Sequence, residues 1–152
     1  MRKRTKAREY ALQLLYQLDV TGAEPRHGVE EFWAYRDAPS EVKIFATHLV
    51  EGTLTRRPEL DQLIAAHANN WEIGRMAVVD RNILRLGAYE LLYADDVPPK
   101  VCLNEAIELA KRFGDEESSR FVNGILDTIH KTRGRGAAPA DSASSNNSAK
   151  GA

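Results

Sequence analysis

Cysteine is nearly absent from this chain. Cys102 stands alone, so no disulfide can close within the sequence. Its place in an apolar helical pattern reads as a small core residue rather than a nucleophile. No apolar run approaches the roughly 20 residues that cross a bilayer. Arg2 to Arg8 lead into an amphipathic segment instead of a continuous apolar signal core, so a cytoplasmic protein away from membranes is expected. Short alternating apolar runs are missing too, and no Asn-Gly or Asp-Gly sits between β-branched runs, which removes the strands and leaves an all-α fold.

Catalytic constellations are equally scarce. There is no Gly-rich phosphate loop ending in Lys-Ser or Lys-Thr and no G-x-S-x-G elbow. The four histidines, His27, His48, His67 and His130, are scattered, and no H-E-x-x-H or C-x-x-C spacing offers a metal site. His48 lies beside an apolar stripe and reads as a core or boundary histidine. Neither an enzyme nor a cofactor is expected, which leaves a binding module.

What the sequence does hold is one domain's worth of helix-forming pattern. Its 152 residues, 43% of them hydrophobic, can bury about two thirds of the unfolded surface. The net charge of −1 conceals an asymmetry, because Arg2, Lys3, Arg4, Lys6 and Arg8 put +5 in the first eight residues and leave −6 for the rest. A cationic block at a terminus reads as an arm for a polyanion.

Ala7, Tyr10, Ala11, Leu14, Leu15 and Leu18 recur at helical spacing and predict a helix from about Thr5 to Asp19. Thr5, Glu9, Leu12 and Tyr16 fall on its opposite side, where Tyr16 is expected to be exposed. The alternative is that Leu12 and Tyr16 pack under a neighbouring loop or another subunit. A ring on the same helix as five cations suits single-stranded RNA, since cations track phosphates while the ring stacks on a base. Further helices are predicted over Val29 to Arg36, with Phe32 and Trp33 inward, over Ser40 to about Thr55, and from Pro58 to near Asn69 and Asn70. Val78 to Ala94 is the most apolar helix. Asp80, Arg81, Arg85 and Glu90 are expected on its solvated edge as spaced ion pairs. Beyond Ile129 apolar residues thin out, and Gly134 to Ala152 has the composition of a disordered tail.

The stretch from Val97 to Asp127 is the most legible. Pro98 and Pro99 stop the preceding helix, Leu103, Ala106, Ile107 and Ala110 mark the next one, and Gly114 follows Arg112 and Phe113 as its stop signal. Asp115, Glu116 and Glu117 place negative charge at the start of a last helix striped by Phe121, Val122, Ile125, Leu126 and Ile129. NEAIELAKRFG, the acidic corner and RFVNGILD resemble the C-terminal signature of the NusB family, bacterial transcription antitermination factors. KAREYALQLLYQLD and VVDRNILRLGAYELL extend the resemblance over residues 4 to 130.

The resemblance implies about seven helices in two small packed bundles. It also implies binding of the boxA element of ribosomal RNA leader transcripts together with NusE, a small-subunit ribosomal protein, in a transcription antitermination complex with RNA polymerase, without cofactor. By resemblance the RNA surface comprises Arg2, Lys3, Arg4, Lys6, Arg8, Tyr16, Arg120 and Phe121, while Asp80 and Glu117 match acidic positions near the partner's docking side. Phe121, read from its stripe alone, is a core residue. The cationic start here uses more lysine than the arginine-richest members, and lysine lacks the planar fork of arginine. A homodimer covering the RNA surface is a further family outcome. A similar unit also fronts certain ribosomal RNA cytosine methyltransferases, but here a tail follows instead of a catalytic region. The competing class is a helical protein-interaction module without specific RNA binding. If all five cations neutralise phosphates of a single strand, log affinity should fall against log salt with a slope of roughly −3.5, from about −0.7 per contact; a salt-insensitive complex would exclude the cationic start.

Overall fold

The computed structural model describes residues 2–69 and 71–133; the tail expected over 134–152 lies outside the described residues. Among them are seven α-helices and a single 3-10 turn: α1 Lys3–Thr21, α2 Pro25–Ala34, α3 Ser40–Thr55, α4 Arg57–His67, the turn Ile73–Arg75, α5 Val78–Tyr93, α6 Pro99–Phe113 and α7 Ser118–Arg133. The all-α class is borne out. α1 packs on α2 and α3, while α4 to α7 form a second group in which α5, α6 and α7 are mutual neighbours. Both groups close on α5, which also receives α1 and α3, so one continuous hydrophobic core joins them.

Helix starts follow local chemistry. Pro25, Pro58 and Pro99 each stand in a first turn, where a missing N–H costs nothing. Glu24 caps α2 by accepting from the backbone N–H of Arg26 and His27 at 3.1 and 2.8 Å, which lets this helix begin well before Val29. Gly22 ends α1 in the left-handed region at φ 69°. Gly114 does something different. Its backbone is extended, and a Cβ there would lie 2.3 Å from Ser118 Oγ and 2.8 Å from the Ala110 carbonyl, so the turn from α6 to α7 can only be this tight without a side chain.

α5 is the axis of the molecule. Every residue from Asn82 to Leu91 is buried, and Ile83, Leu84, Leu86 and Leu91 are shielded from solvent completely or nearly so. Each such side chain contributes about 1.5–3 kcal/mol relative to exposure. The solvated edge expected on this helix does not exist, because α1 and α4 cover it. Arg85 Nε donates to Asp61 Oδ1 at 2.7 Å and its Nη1 to Asp19 Oδ2 at 3.0 Å. Arg81 engages both Asp19 oxygens at 2.8 and 3.0 Å, and Asn82 adds a bond at 2.9 Å. Burial alone would raise the Asp19 carboxyl, but the hydrogen bonds from Arg81 and Asn82 and the charges of Arg85 and Arg81 outweigh it and hold the group well below the usual carboxylate range.

The far side of α1 is largely enclosed, so Glu9 departs from its expected position while Leu12 takes the packed alternative. Leu12 is 2% exposed and Glu9 is buried, because α1 is flanked by α2 and α3 on one side and by α5 on the other, and Arg112 reaches across from α6 to Glu9 at 3.4 Å. Of the four residues assigned to that side, Tyr16 alone is exposed. His48 moves the other way. It is exposed on α3 rather than at the core boundary.

Asp19→Asn should destabilise the protein by roughly 3 kcal/mol in urea unfolding, since it removes the charge on which Arg57, Arg81 and Arg85 converge. A depressed carboxyl contributes stability that is complete above the ordinary aspartate range near about 3.9 and is lost as pH falls toward the folded value. The gap between wild type and variant should therefore narrow below about pH 4; a gap constant through acid titration contradicts this role.

Candidate nucleic-acid and partner interface

The cationic start is not an arm but the first turns of α1. Arg2 occupies the N-cap without a side-chain cap, and no acid stands in the first turn, so the opening backbone N–H groups add their partial positive charge to those of the side chains. Lys3 and Arg4 are exposed and Lys6 is half-buried, with its ammonium 5.0 Å from the Tyr10 ring centroid. Arg8 departs from the expectation. It is 3% exposed, and its Nε and Nη2 donate to both oxygens of Glu90 on α5 at 2.7 and 2.8 Å, with Glu105 of α6 a further 3.5 Å away. Burial would lower this guanidinium's pKa, but the bonds and charges of Glu90 and Glu105 raise it on balance. Arg8 is withdrawn from the surface, so it is corrected from phosphate ligand to structural residue.

Tyr16 lies two turns of α1 beyond Arg8, 41% exposed, on the rim of a groove of about 410 Å³ whose walls include Leu12, Val20, Val79 and Phe113. The groove is mostly apolar and holds no charged side chain. Helical rise places Tyr16 about 18 Å along the axis from Arg4, so the fold does not join ring and cations in one pocket.

The acidic corner makes a second cleft, of about 390 Å³, beside that groove. Asp115 Oδ1 accepts from the Glu117 backbone N–H at 2.9 Å, and Ser118 Oγ accepts from the Asp115 N–H at 3.0 Å, which fixes the corner. The cleft brings together Asp80, Glu117, Arg120 and Phe121, four residues the sequence divided between two ligands. Phe121 is half-buried and meets the Trp71 ring edge to face at 5.3 Å, so it is neither fully core nor fully free. Arg120 is exposed, with Glu117 at 3.9 Å. Asp80 Oδ1 is shielded from solvent with no hydrogen-bond donor among the described residues.

Trp71, 48% exposed, is a cleft residue absent from the expected site. An aromatic in a polar connecting segment was the available signal. Arg4 stacks its guanidinium 4.3 Å from the centroid of the Phe45 ring on α3. Among the described residues no group of three side chains is arranged to hold a metal ion.

These features define a helical binding protein: a cationic helix start, an apolar groove with one exposed tyrosine, and an acidic cleft floored by two rings. The NusB family model matches residues 5–131. The transcription antitermination protein NusB of Myxococcus xanthus is 49% identical over 85% of this chain and 95% of its own length. The structure superposes on NusB of T. maritima with a TM-score of 0.79 at 36% identity, covering 87% of this chain and 93% of that one. It matches a chain of the antitermination factors NusB and NusE in complex with double-stranded RNA at a TM-score of 0.78 and 32% identity, covering 86% and 98%. The chain belongs to the NusB family, whose members are antitermination proteins rather than enzymes.

Arg8→Met removes the bidentate donor from the buried Glu90 carboxylate and should cost about 3–5 kcal/mol in denaturant unfolding. Arg4→Met should stay within about 1 kcal/mol of wild type, as exposed ion pairs do. Equal costs for the two substitutions contradict the division of α1 into an anchoring and a contacting part.

Proposed function

We propose that this protein binds the boxA element of ribosomal RNA leader transcripts as a single strand, together with NusE, within a transcription antitermination complex with RNA polymerase. The observation that carries the reading is the uncapped start of α1. Arg2, Lys3, Arg4 and Lys6 gather there without an acid in the first turn, on the helix that also exposes Tyr16. Cations on backbone phosphates and a ring under a base are the two devices that single-stranded recognition combines. Arg120 and Phe121 extend the RNA surface at the corner. Asp80 and Glu117 supply the negative side of the NusE contact, and because all four share one cleft, RNA and NusE meet there. A relative of the same fold holds NusE and double-stranded RNA, which supports RNA and NusE as ligand classes.

With Arg8 buried, four cations of the helix start remain for phosphates. The helix start should therefore contribute roughly −2.8 to the salt slope rather than −3.5, at about −0.7 per single-strand contact. Gel shifts with boxA, scrambled single strands and a duplex, each with and without NusE, test the whole reading. The expected order is boxA with NusE tightest, then boxA alone, then scrambled RNA. No preference for boxA in either condition leaves the interaction-module reading. A homodimer is the second reading, favoured by the exposure of Val20 beside Tyr16 in the apolar groove. It predicts a concentration-dependent mass in sedimentation that RNA reverses.

A further inference from the structure

The exposed cations of α1 are held by acids from elsewhere in the fold. Lys3 pairs with Glu41 in the first turn of α3. Arg4 Nη1 lies 3.1 Å from Asp96 Oδ2, in the connection between α5 and α6, while its guanidinium covers Phe45. Neither acid belongs to α1, and both pairs are open to solvent. Arg8, one to two turns further in, pairs with a carboxylate as well, but out of reach of water.

We infer that Glu41 and Asp96 act as phosphate surrogates: they hold Lys3 and Arg4 on the surface of the unbound protein and are displaced by RNA phosphates, so that these two acids set the RNA affinity. The inference rests on the RNA reading above. Its physical basis is that carboxylate and phosphate oxygens offer the same charge-assisted bonds to ammonium and guanidinium groups, so the two compete for one set of donors. An exposed pair is weak enough for a polyanion to open, whereas the buried Arg8–Glu90 pair is not. Lys3 and Arg4 are thereby kept near their working positions, at the cost of an exchange each time RNA binds. A ligand with a single weak anion cannot open both pairs, which limits non-specific capture by the cationic start.

The test measures boxA RNA affinity for the full chain carrying Glu41→Gln, Asp96→Asn or both, at low and moderate salt. Each single variant should tighten binding about two- to fivefold, the range set by an exposed ion pair, and the double variant by about tenfold. The gain should shrink as salt rises. Glu51→Gln makes the same charge change on α3 about 15 Å further along the helix, beyond the Debye length of about 10 Å at 0.1 M salt, and should alter affinity little. In a Lys3→Met background the Glu41→Gln gain should disappear. Unchanged affinity in Glu41→Gln and Asp96→Asn overturns the inference while leaving RNA binding intact. An equal gain from Glu51→Gln, or a gain that persists without Lys3, also overturns it and assigns the effect to overall charge. Failure of the unaltered protein to bind RNA at all removes the RNA reading and this inference with it.

Discussion

The bidentate bond between Arg8 and Glu90 is the constraint on which the rest depends. It fastens α1 to α5 where both are buried, and it leaves one side of the joint inside the core and the other at the surface. Asp19 repeats the fastening near the far end of α1 through Arg81 and Arg85. Two ionic clamps more than a dozen Å apart along one helix fix its rotation as well as its position, which apolar contacts alone specify less sharply. Buried pairs of this kind add little net stability over well-packed apolar residues, but breaking one leaves an uncompensated charge. Their contribution here is to orient α1, and with it everything α1 presents.

That orientation creates the candidate surface. Arg4, Arg8, Leu12 and Tyr16 follow one another at four-residue spacing along a face that is covered at Arg8 and Leu12 and open at both ends, which leaves Arg4 exposed at the helix start and Tyr16 at the groove beside Phe113 and Val79. The tight turn through Gly114 then sets α7 against α5, which brings Phe121, Arg120 and Glu117 to Asp80 and Trp71 in the neighbouring cleft. The functional residues come from α1, α5 and the α6–α7 corner, three elements that meet because α5 is buried on every face.

The fold was largely legible because helical periodicity is a local signal. Proline starts, glycine stops and apolar stripes located all seven helices to within a turn or so, and the family motifs marked the corner. What the letters hid was the partner of each charge. Arg8 looked like one of five equivalent cations, and Arg85 like half of a solvated pair, because periodicity assigns a face without saying which faces a second helix will cover. Glu9 was misplaced for the same reason, and Leu12 takes the packed alternative of the two left open for it: α1 is enclosed from more than one side. Tyr16 was placed correctly, since it lies where the enclosure ends. Trp71 escaped because its role depends on Phe121, fifty residues away in sequence and edge to face with it in space. Pairings at that separation leave no trace in local pattern.

The central claim is that α1 is divided between an anchor that RNA leaves alone and a start that RNA engages. Arginine side-chain NMR addresses it directly, by following the Nε–H resonances of Arg4, Arg8 and Arg85 while boxA RNA is added. Arg8 and Arg85 should keep their shifts and slow solvent exchange throughout, while Arg4 shifts in proportion to bound RNA. A shift or loss of protection at Arg8 that tracks RNA binding, with Arg4 unmoved, would contradict the account.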